Sequence, residues 1–173
     1  GTFSRLVAKY PNLILFKDSS GADRIALSGV DAGGVFLVRG AEGDYAKWLK
    51  AGGGAYDGFL LSTANSFPAG LLAVVRGIRE GRLEEAGKIS AAISGAVGEV
   101  FALVGEIPCG NAFTNANKAI EHFMAFGPEA AGREGPMLHG GIRIPAGIIE
   151  ATGRALRRHG LMPGKGYLER ETK

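Results

Sequence analysis

Cysteine and long apolar runs are scarce in this 173-residue chain, and each scarcity excludes a class of protein. Cys109 is its one cysteine, which excludes an intramolecular disulfide and predicts a reducing compartment. No run approaches the roughly 18 apolar residues of a membrane-spanning helix. The first residues also lack the basic and apolar segments of a signal peptide. We therefore expect a cytoplasmic protein without a membrane span.

Charge of one sign is scarce as well, since 20 Lys and Arg against 17 Asp and Glu give a net charge of +3. A nucleic-acid surface needs basic residues clustered on one face. The densest basic stretch, residues 154–159, contains no aromatic residue and fits a solvated helix face. His122, His139 and His159 lack the spacing of metal ligands, and one cysteine cannot complete such a site. We expect no nucleic-acid partner and no bound metal.

Glycine, by contrast, is abundant. The chain has 29 glycines in 173 residues, more than twice the average usage of about 7%. The hydrophobic fraction of 46% is ordinary for a globular protein. The glycines lie between apolar runs, so they indicate turns between many short elements.

Three short apolar runs, residues 13–16, 35–38 and 58–61, are each bounded by turn residues, as buried strands are. The residues directly after the runs, Lys17, Arg39 and Ser62, are spaced 22 and 23 positions apart. Residues 22–29 and 44–51 between them have helical patterns. Alternating strands and helices predict a parallel sheet with right-handed crossovers. Because the runs are uniformly apolar, we expect the sheet to be buried on both faces.

The pattern changes after Asn65. No further strand is indicated, and apolar residues recur at helical spacing. The predicted helices cover residues 67–81, 83–104, 114–126 and 146–159, with a loop at 127–145. The sequence thus predicts an α/β region over residues 1–66 and a helical region over residues 67–173.

Lys17 is the residue in the first strand that could carry chemistry, because active sites of parallel β/α folds gather at the carboxyl ends of strands. Side chains alternate along a strand, so Leu13, Leu15 and Lys17 are expected to share one apolar face. An amine in apolar surroundings loses its proton more easily and can attack a ketone to form a Schiff base. The alternative is a lysine that caps the strand and extends into water.

Three motifs resemble one family. Residues 11–21 (PNLILFKDSSG), 39–42 (RGAE) and 58–65 (GFLLSTAN) are similar, in order and spacing, to segments of the dihydrodipicolinate synthase and N-acetylneuraminate lyase family. The resemblance extends from about Phe3 to at least Phe126. It implies part of an eight-stranded (β/α) barrel, or TIM barrel, with strands similar to strands six to eight followed by C-terminal helices.

The resemblance also implies roles for individual residues. Lys17 matches the lysine that forms an imine with pyruvate or another 2-keto acid, so no separate cofactor is required. Leu60 matches a residue whose backbone carbonyl lies against that lysine. Gly40 matches the glycine that lets a second substrate approach the backbone.

Further binding residues follow from the same comparison. Glu42 falls where the lyases carry an acid that binds substrate hydroxyls, and Ser62 falls where the sialic-acid lyases have a serine in the same pocket. Arg39 is unusual at its position. It could bind a distal substrate carboxylate through its two-pronged guanidinium, or it could be an exposed arginine at the end of the strand.

The resemblance implies a class I aldolase or lyase that cleaves or forms a carbon–carbon bond between a 2-keto acid and an aldehyde. Glu42 and Ser62 favour a keto-deoxy sugar acid, with 4-hydroxy-tetrahydrodipicolinate synthesis as the alternative. The family also implies a homo-oligomer, a dimer or tetramer. The first half of the barrel, with its carboxylate-binding loop and proton-relay tyrosine, has no counterpart in residues 1–173. We therefore expect the chain to be incomplete for catalysis, or to be a non-catalytic half-barrel partner.

Overall fold

The protein is an α/β structure with a small parallel sheet. The computed structural model describes residues 1–168. Its helices and strands alternate over the first sixty residues and are followed by helices. The elements are α1 (Thr2–Lys9), β1 (Leu15–Asp18), α2 (Arg24–Leu27), β2 (Phe36–Arg39), α3 (Tyr45–Trp48), β3 (Gly58–Phe59), α4 (Pro68–Arg79), α5 (Leu83–Val104), α6 (Ala112–Phe126) and α7 (Ala146–Arg158).

The three strands are parallel and lie in the order β1-β2-β3, which confirms the predicted strand–helix–strand pattern. Lys17 is paired with Val38, which in turn is paired with Gly58. The strand bounds differ from the expectation because β1 begins two residues later than predicted. Leu13 therefore precedes the strand, and it packs against the hydrophobic core instead of extending the face of Lys17.

The hydrophobic core of the N-terminal region lies on one face of the sheet. Buried Phe3, Val35, Leu37 and Tyr56 form the centre of this core. The ring of Phe3 in α1 meets the ring of Phe16 in β1 edge to face, with centroids 5.1 Å apart. Helix α1, which the sequence patterns did not indicate, therefore covers the β1 side of this face.

The opposite face of the sheet leaves several apolar side chains exposed. Leu15 is 44% exposed, Phe36 47% and Leu60 53%. Val38 is buried on this face, between its neighbours in register. The expectation of burial on both faces is therefore wrong, because these three apolar side chains remain about half exposed. We call Leu15, Lys17, Phe36 and Leu60 the open face.

The predicted helices are present after the sheet. Helix α5 has the predicted bounds, Leu83–Val104, and α4, α6 and α7 begin or end within two residues of theirs. The predicted loop over residues 127–145 contains a 3-10 turn (Gly127–Gly132) and an isolated antiparallel bridge between Met137 and Arg143. After Phe59 the described chain forms no further strand.

The chain forms two compact units. One comprises Gly1–Leu61 with Leu71–Ser90, and the other comprises Ser62–Gly70 with the residues from Ala91 onward. In the second unit, α6 packs against α7 and against the 3-10 turn Ser62–Asn65. The division at residue 66 stays a prediction.

One helix among the described residues, Leu83–Val104, is long and apolar enough to cross a membrane. This differs from the expectation that no segment would pass such a test. A core helix of a soluble protein passes the same test of length and composition, and 33% of the apolar window is buried.

Candidate active site

Lys17 lies near the carboxyl end of β1, on the open face. Its neighbour in register is Val38, and Leu15 lies two residues earlier on the same face. The side chain is exposed, so the apolar enclosure expected for this amine is absent. The physical reason is that β1 is an edge strand, and no described strand pairs with its other side.

Gly40 lies directly against the Lys17 side chain. A methyl group added at Gly40 would overlap Lys17 Cε and Ser19 Oγ, and it would come within 3.2 Å of Lys17 Cγ. The Gly40 N–H donates to Asp18 O at 2.7 Å, which joins the ends of β1 and β2. The structure thus brings together two of the residues that the sequence singled out, Lys17 and Gly40.

The chain turns sharply after β1. The buried carboxylate of Asp18 accepts hydrogen bonds from the Ser20 N–H at 2.9 Å and from Ser20 Oγ at 2.6 Å. Such a turn, in which an aspartate caps the backbone two residues later, stabilises the loop locally. Side chains alternate along β1, so Asp18 faces the core and Lys17 faces the other side. The hydrogen bonds that hold the loop therefore lie on the face opposite the Lys17 amine.

Arg39 is buried, 6% exposed, on the face opposite Lys17. Its Nε and Nη2 donate to the two carboxylate oxygens of Asp23 at 2.9 and 3.1 Å. Its Nη1 donates to the carbonyls of Ala41 and Gly43 at 2.9 and 3.1 Å. The guanidinium lies 4.2 Å from the centre of the Trp48 ring. The alternative of an exposed arginine is wrong, because internal partners take up its donors.

The pKa values of Asp23 and Tyr56 are shifted by their contacts with Arg39 and with each other. Burial alone would raise the pKa of Asp23, but hydrogen bonds from Arg39 and Tyr56 and the positive charge of Arg39 outweigh it and lower that pKa. The Tyr56 hydroxyl, which donates to Asp23 Oδ1 at 2.6 Å, has its pKa raised by burial and by that carboxylate. Asp23 is therefore held as an anion and Tyr56 as a neutral donor.

Sequence reasoning missed Asp23 and Tyr56, although strand alternation contained a signal. Arg39 is in phase with the buried Leu37, two residues earlier, and a charge at a buried position requires a buried partner. Asp23 is separated from Arg39 by 16 residues, so spacing alone could not identify which acid pairs with it.

Glu42 and Leu60 also belong to the first unit. Glu42 follows β2, and its Oε2 accepts a hydrogen bond from the Tyr45 hydroxyl at 2.9 Å. Leu60 follows β3, and its N–H donates to Arg39 O at 3.0 Å. Because Leu60 is in phase with Gly58, the register partner of Val38, its side chain lies on the open face with Lys17.

Ser62 belongs to the second unit and is described there. Its Oγ accepts a hydrogen bond from Asn117 Nδ2 at 2.9 Å, and Asn117 Nδ2 also donates to Phe113 O at 2.7 Å. These residues line a cleft of about 320 Å³ together with Asn65, Thr114, Lys118 and Glu121. Within residues 1–168, no group of three or more His, Cys, Asp or Glu residues is arranged to hold a metal ion.

Comparisons with protein-family models, with curated proteins and with solved structures found no match to this chain. The resemblance to the synthase and lyase family therefore rests on the three motifs alone.

Proposed function

We propose that the chain carries the Schiff-base lysine of a class I aldolase or lyase acting on a 2-keto acid. The observation that carries the proposal is the position of Lys17, on the open face at the carboxyl end of a parallel strand and against Gly40. That end of a parallel sheet is where β/α enzymes assemble their active sites. Two of the motif residues that the resemblance pairs with substrate are thus neighbours.

The proposal extends to the fold. In a (β/α) barrel the helices lie on one face of the sheet and the other face lines the interior. The one-sided core and the apolar open face support an arrangement in which β1, β2 and β3 correspond to strands six to eight of such a barrel. Lys17, which shares the open face, then points into the barrel interior.

In the proposed reaction, the Lys17 amine attacks the ketone carbon of the substrate, and loss of one water leaves a protonated imine. Cleavage of the C3–C4 bond sends its electron pair into an enamine, while the C4 hydroxyl loses its proton and C4 becomes an aldehyde. The enamine takes up a proton at C3. Water then hydrolyses the imine, which releases pyruvate and restores the amine. Synthesis runs the same steps in reverse.

Glu42 and Ser62 favour a hydroxylated substrate, a keto-deoxy sugar acid, because a carboxylate and a hydroxyl both hydrogen-bond sugar hydroxyls. The Leu60 backbone, on the strand end beside β2, is proposed to border the imine. The synthase reaction is the alternative within the same chemistry, and it differs in the aldehyde that the enamine attacks.

The test is reductive trapping. The protein is incubated with pyruvate and borohydride, and the modified peptide is identified by mass spectrometry. We expect an adduct on Lys17, no adduct in Lys17→Ala, and unchanged labelling in Lys88→Ala, which removes an exposed lysine of α5. Equal labelling of Lys17→Ala and the unaltered protein would overturn the proposed mechanism.

A second candidate function is a non-catalytic partner that contributes half a barrel to a complex. The apolar open face favours it, because parallel sheets are ordinarily covered on both faces. Sedimentation of the chain separates the two candidates. A compact monomer that unfolds cooperatively and binds no partner contradicts the half-barrel partner.

A further inference from the structure

We propose that Arg39 is a positioning residue that clamps the loop after β1 to the loop after β2 and thereby fixes Lys17 against Gly40. The inference rests on the proposed function for its catalytic consequence. It replaces the expectation that Arg39 binds substrate.

The Arg39 guanidinium donates hydrogen bonds to both loops. Asp23, in the loop after β1, receives two donors of Arg39, at 2.9 and 3.1 Å. In the loop after β2, the carbonyls of Ala41 and Gly43 accept hydrogen bonds from Arg39 Nη1 at 2.9 and 3.1 Å. One rigid, planar group therefore spans both loops, which a single ammonium could not do with the same geometry.

Burial makes the clamp persistent. Arg39 is 6% exposed and Asp23 is 2% exposed, so separating them would leave two charges without water or a partner. The Tyr56 hydroxyl gives Asp23 Oδ1 a second donor at 2.6 Å, and the Trp48 ring lies over the guanidinium at 4.2 Å. These contacts fix the orientation of both charged groups.

The clamp reaches Lys17 through the backbone. Gly40 lies between Arg39, which carries the guanidinium, and Ala41, whose carbonyl accepts from it, and the Gly40 N–H donates to Asp18 O at 2.7 Å. Asp18 is the residue after Lys17. Any change in the spacing of the two loops therefore changes how Gly40 meets the Lys17 side chain.

The Arg39 guanidinium lies on the core face of the sheet and does not reach the face of Lys17. Its side chain projects from the face opposite Lys17, and four of its five N–H groups already have protein acceptors. A guanidinium with this geometry holds loops, whereas a carboxylate receptor would present free donors on the side of the amine.

The test combines trapping with amide exchange. Arg39→Lys keeps the charge and loses the two-pronged geometry. We expect the maximal rate of pyruvate trapping on Lys17 to fall about tenfold or more, with the half-saturating pyruvate concentration unchanged. Arg24→Lys, an exposed arginine of α2, is the matched control and keeps the full rate. A rise in the half-saturating concentration at an unchanged maximal rate would overturn the proposal in favour of substrate binding.

Hydrogen exchange of the backbone does not require turnover and separates the two proposals. In Arg39→Lys we expect faster exchange in both loops, residues 19–23 and 40–44, and in Tyr56→Phe a smaller change of the same sign. Loosening of one loop only, or of neither, overturns the clamp. Loosening of both loops at an unchanged trapping rate overturns the positioning role. Failure of the unaltered protein to be trapped at Lys17 overturns the proposed function, while the exchange data still decide the clamp.

Discussion

The Lys17 side chain crosses the position that a side chain at Gly40 would occupy. An added methyl group there would overlap Lys17 Cε and Ser19 Oγ. Glycine is required at position 40 because a larger side chain would overlap the Lys17 side chain, which carries the proposed nucleophile. A residue on β1 and a residue after β2 are therefore coupled sterically.

The first prediction concerns Gly40→Ala. The added methyl group should displace the Lys17 side chain and leave the backbone in place, because that side chain is flexible and its end is exposed. We expect the free energy of unfolding to change by less than about 1 kcal/mol, and pyruvate trapping on Lys17 to fall. Denaturant titration and mass spectrometry measure the two effects.

Gly87→Ala is the matched control, because a methyl group there meets nothing within 4 Å. It should raise the free energy of unfolding by about 0.5–1 kcal/mol, since it adds a good helix former to α5. Its trapping should be unchanged. Trapping of Gly40→Ala at the full rate would show that the steric coupling does not matter for the chemistry.

The second prediction compares the two faces of the sheet. Leu37→Ala should lower the free energy of unfolding by about 2–5 kcal/mol, because Leu37 is 5% exposed in the core. Leu60→Ala should cost less than about 1 kcal/mol, because its side chain is 53% exposed on the open face. Urea denaturation at a low protein concentration measures both losses. Similar losses would mean that the open face is covered in solution.

The positions of the helices after the sheet could be predicted because their signals are local, whereas α1 was missed. The acidic first turn of α5, with Glu84 and Glu85, and the glycine that follows Val104 define its ends within the sequence itself. The parallel sheet could also be predicted, because apolar runs and helical segments alternate at a regular spacing.

Exposure of the strands could not be predicted in this way. Leu15 and Phe36 have the composition of buried strand residues, but burial depends on what packs against them, and local pattern does not contain that information. The pairing of Arg39 with Asp23 is also nonlocal. The motifs singled out Lys17 and Gly40, whereas the polar contacts behind them required the three-dimensional arrangement.

The third prediction concerns stability in acid. The pKa of Asp23 lies below its ordinary value of 3.8, so its contribution to stability is complete above that value and is lost as the pH falls through the lower folded-state pKa. Asp57, whose pKa is also lowered, acts in the same direction. We expect the free energy of unfolding to decrease below about pH 4.

Tyr56→Phe checks the assignment to Asp23, because it removes one of the hydrogen bonds that lower this pKa. Its acid-induced loss of stability should be smaller than that of the unaltered protein. Denaturant titrations at a series of pH values give the slope. An identical slope in both proteins contradicts a role for this network in acid stability.

The fourth prediction concerns His122, which is buried in α6. Its Nε2 lies 3.0 Å from Ala130 O, so the neutral ring carries its proton on that nitrogen, and it meets the Phe126 ring edge to face. Burial lowers the pKa of His122 below its ordinary value of 6.5, and nearby Arg133 acts in the same direction against the hydrogen bond. The neutral ring is therefore the form that the fold stabilises.

A depressed histidine pKa contributes stability above its ordinary value and loses it as the pH falls through the folded-state pKa. The free energy of unfolding should thus decrease from about pH 7 to about pH 5. His122→Phe keeps an aromatic ring, cannot be protonated, and should remove most of this decrease. It should also lower stability at neutral pH by about 1 kcal/mol, because Ala130 O loses its donor. His139→Gln, at an exposed position, should keep the full decrease. If His139→Gln abolished the decrease and His122→Phe retained it, the assignment to the buried ring would be wrong.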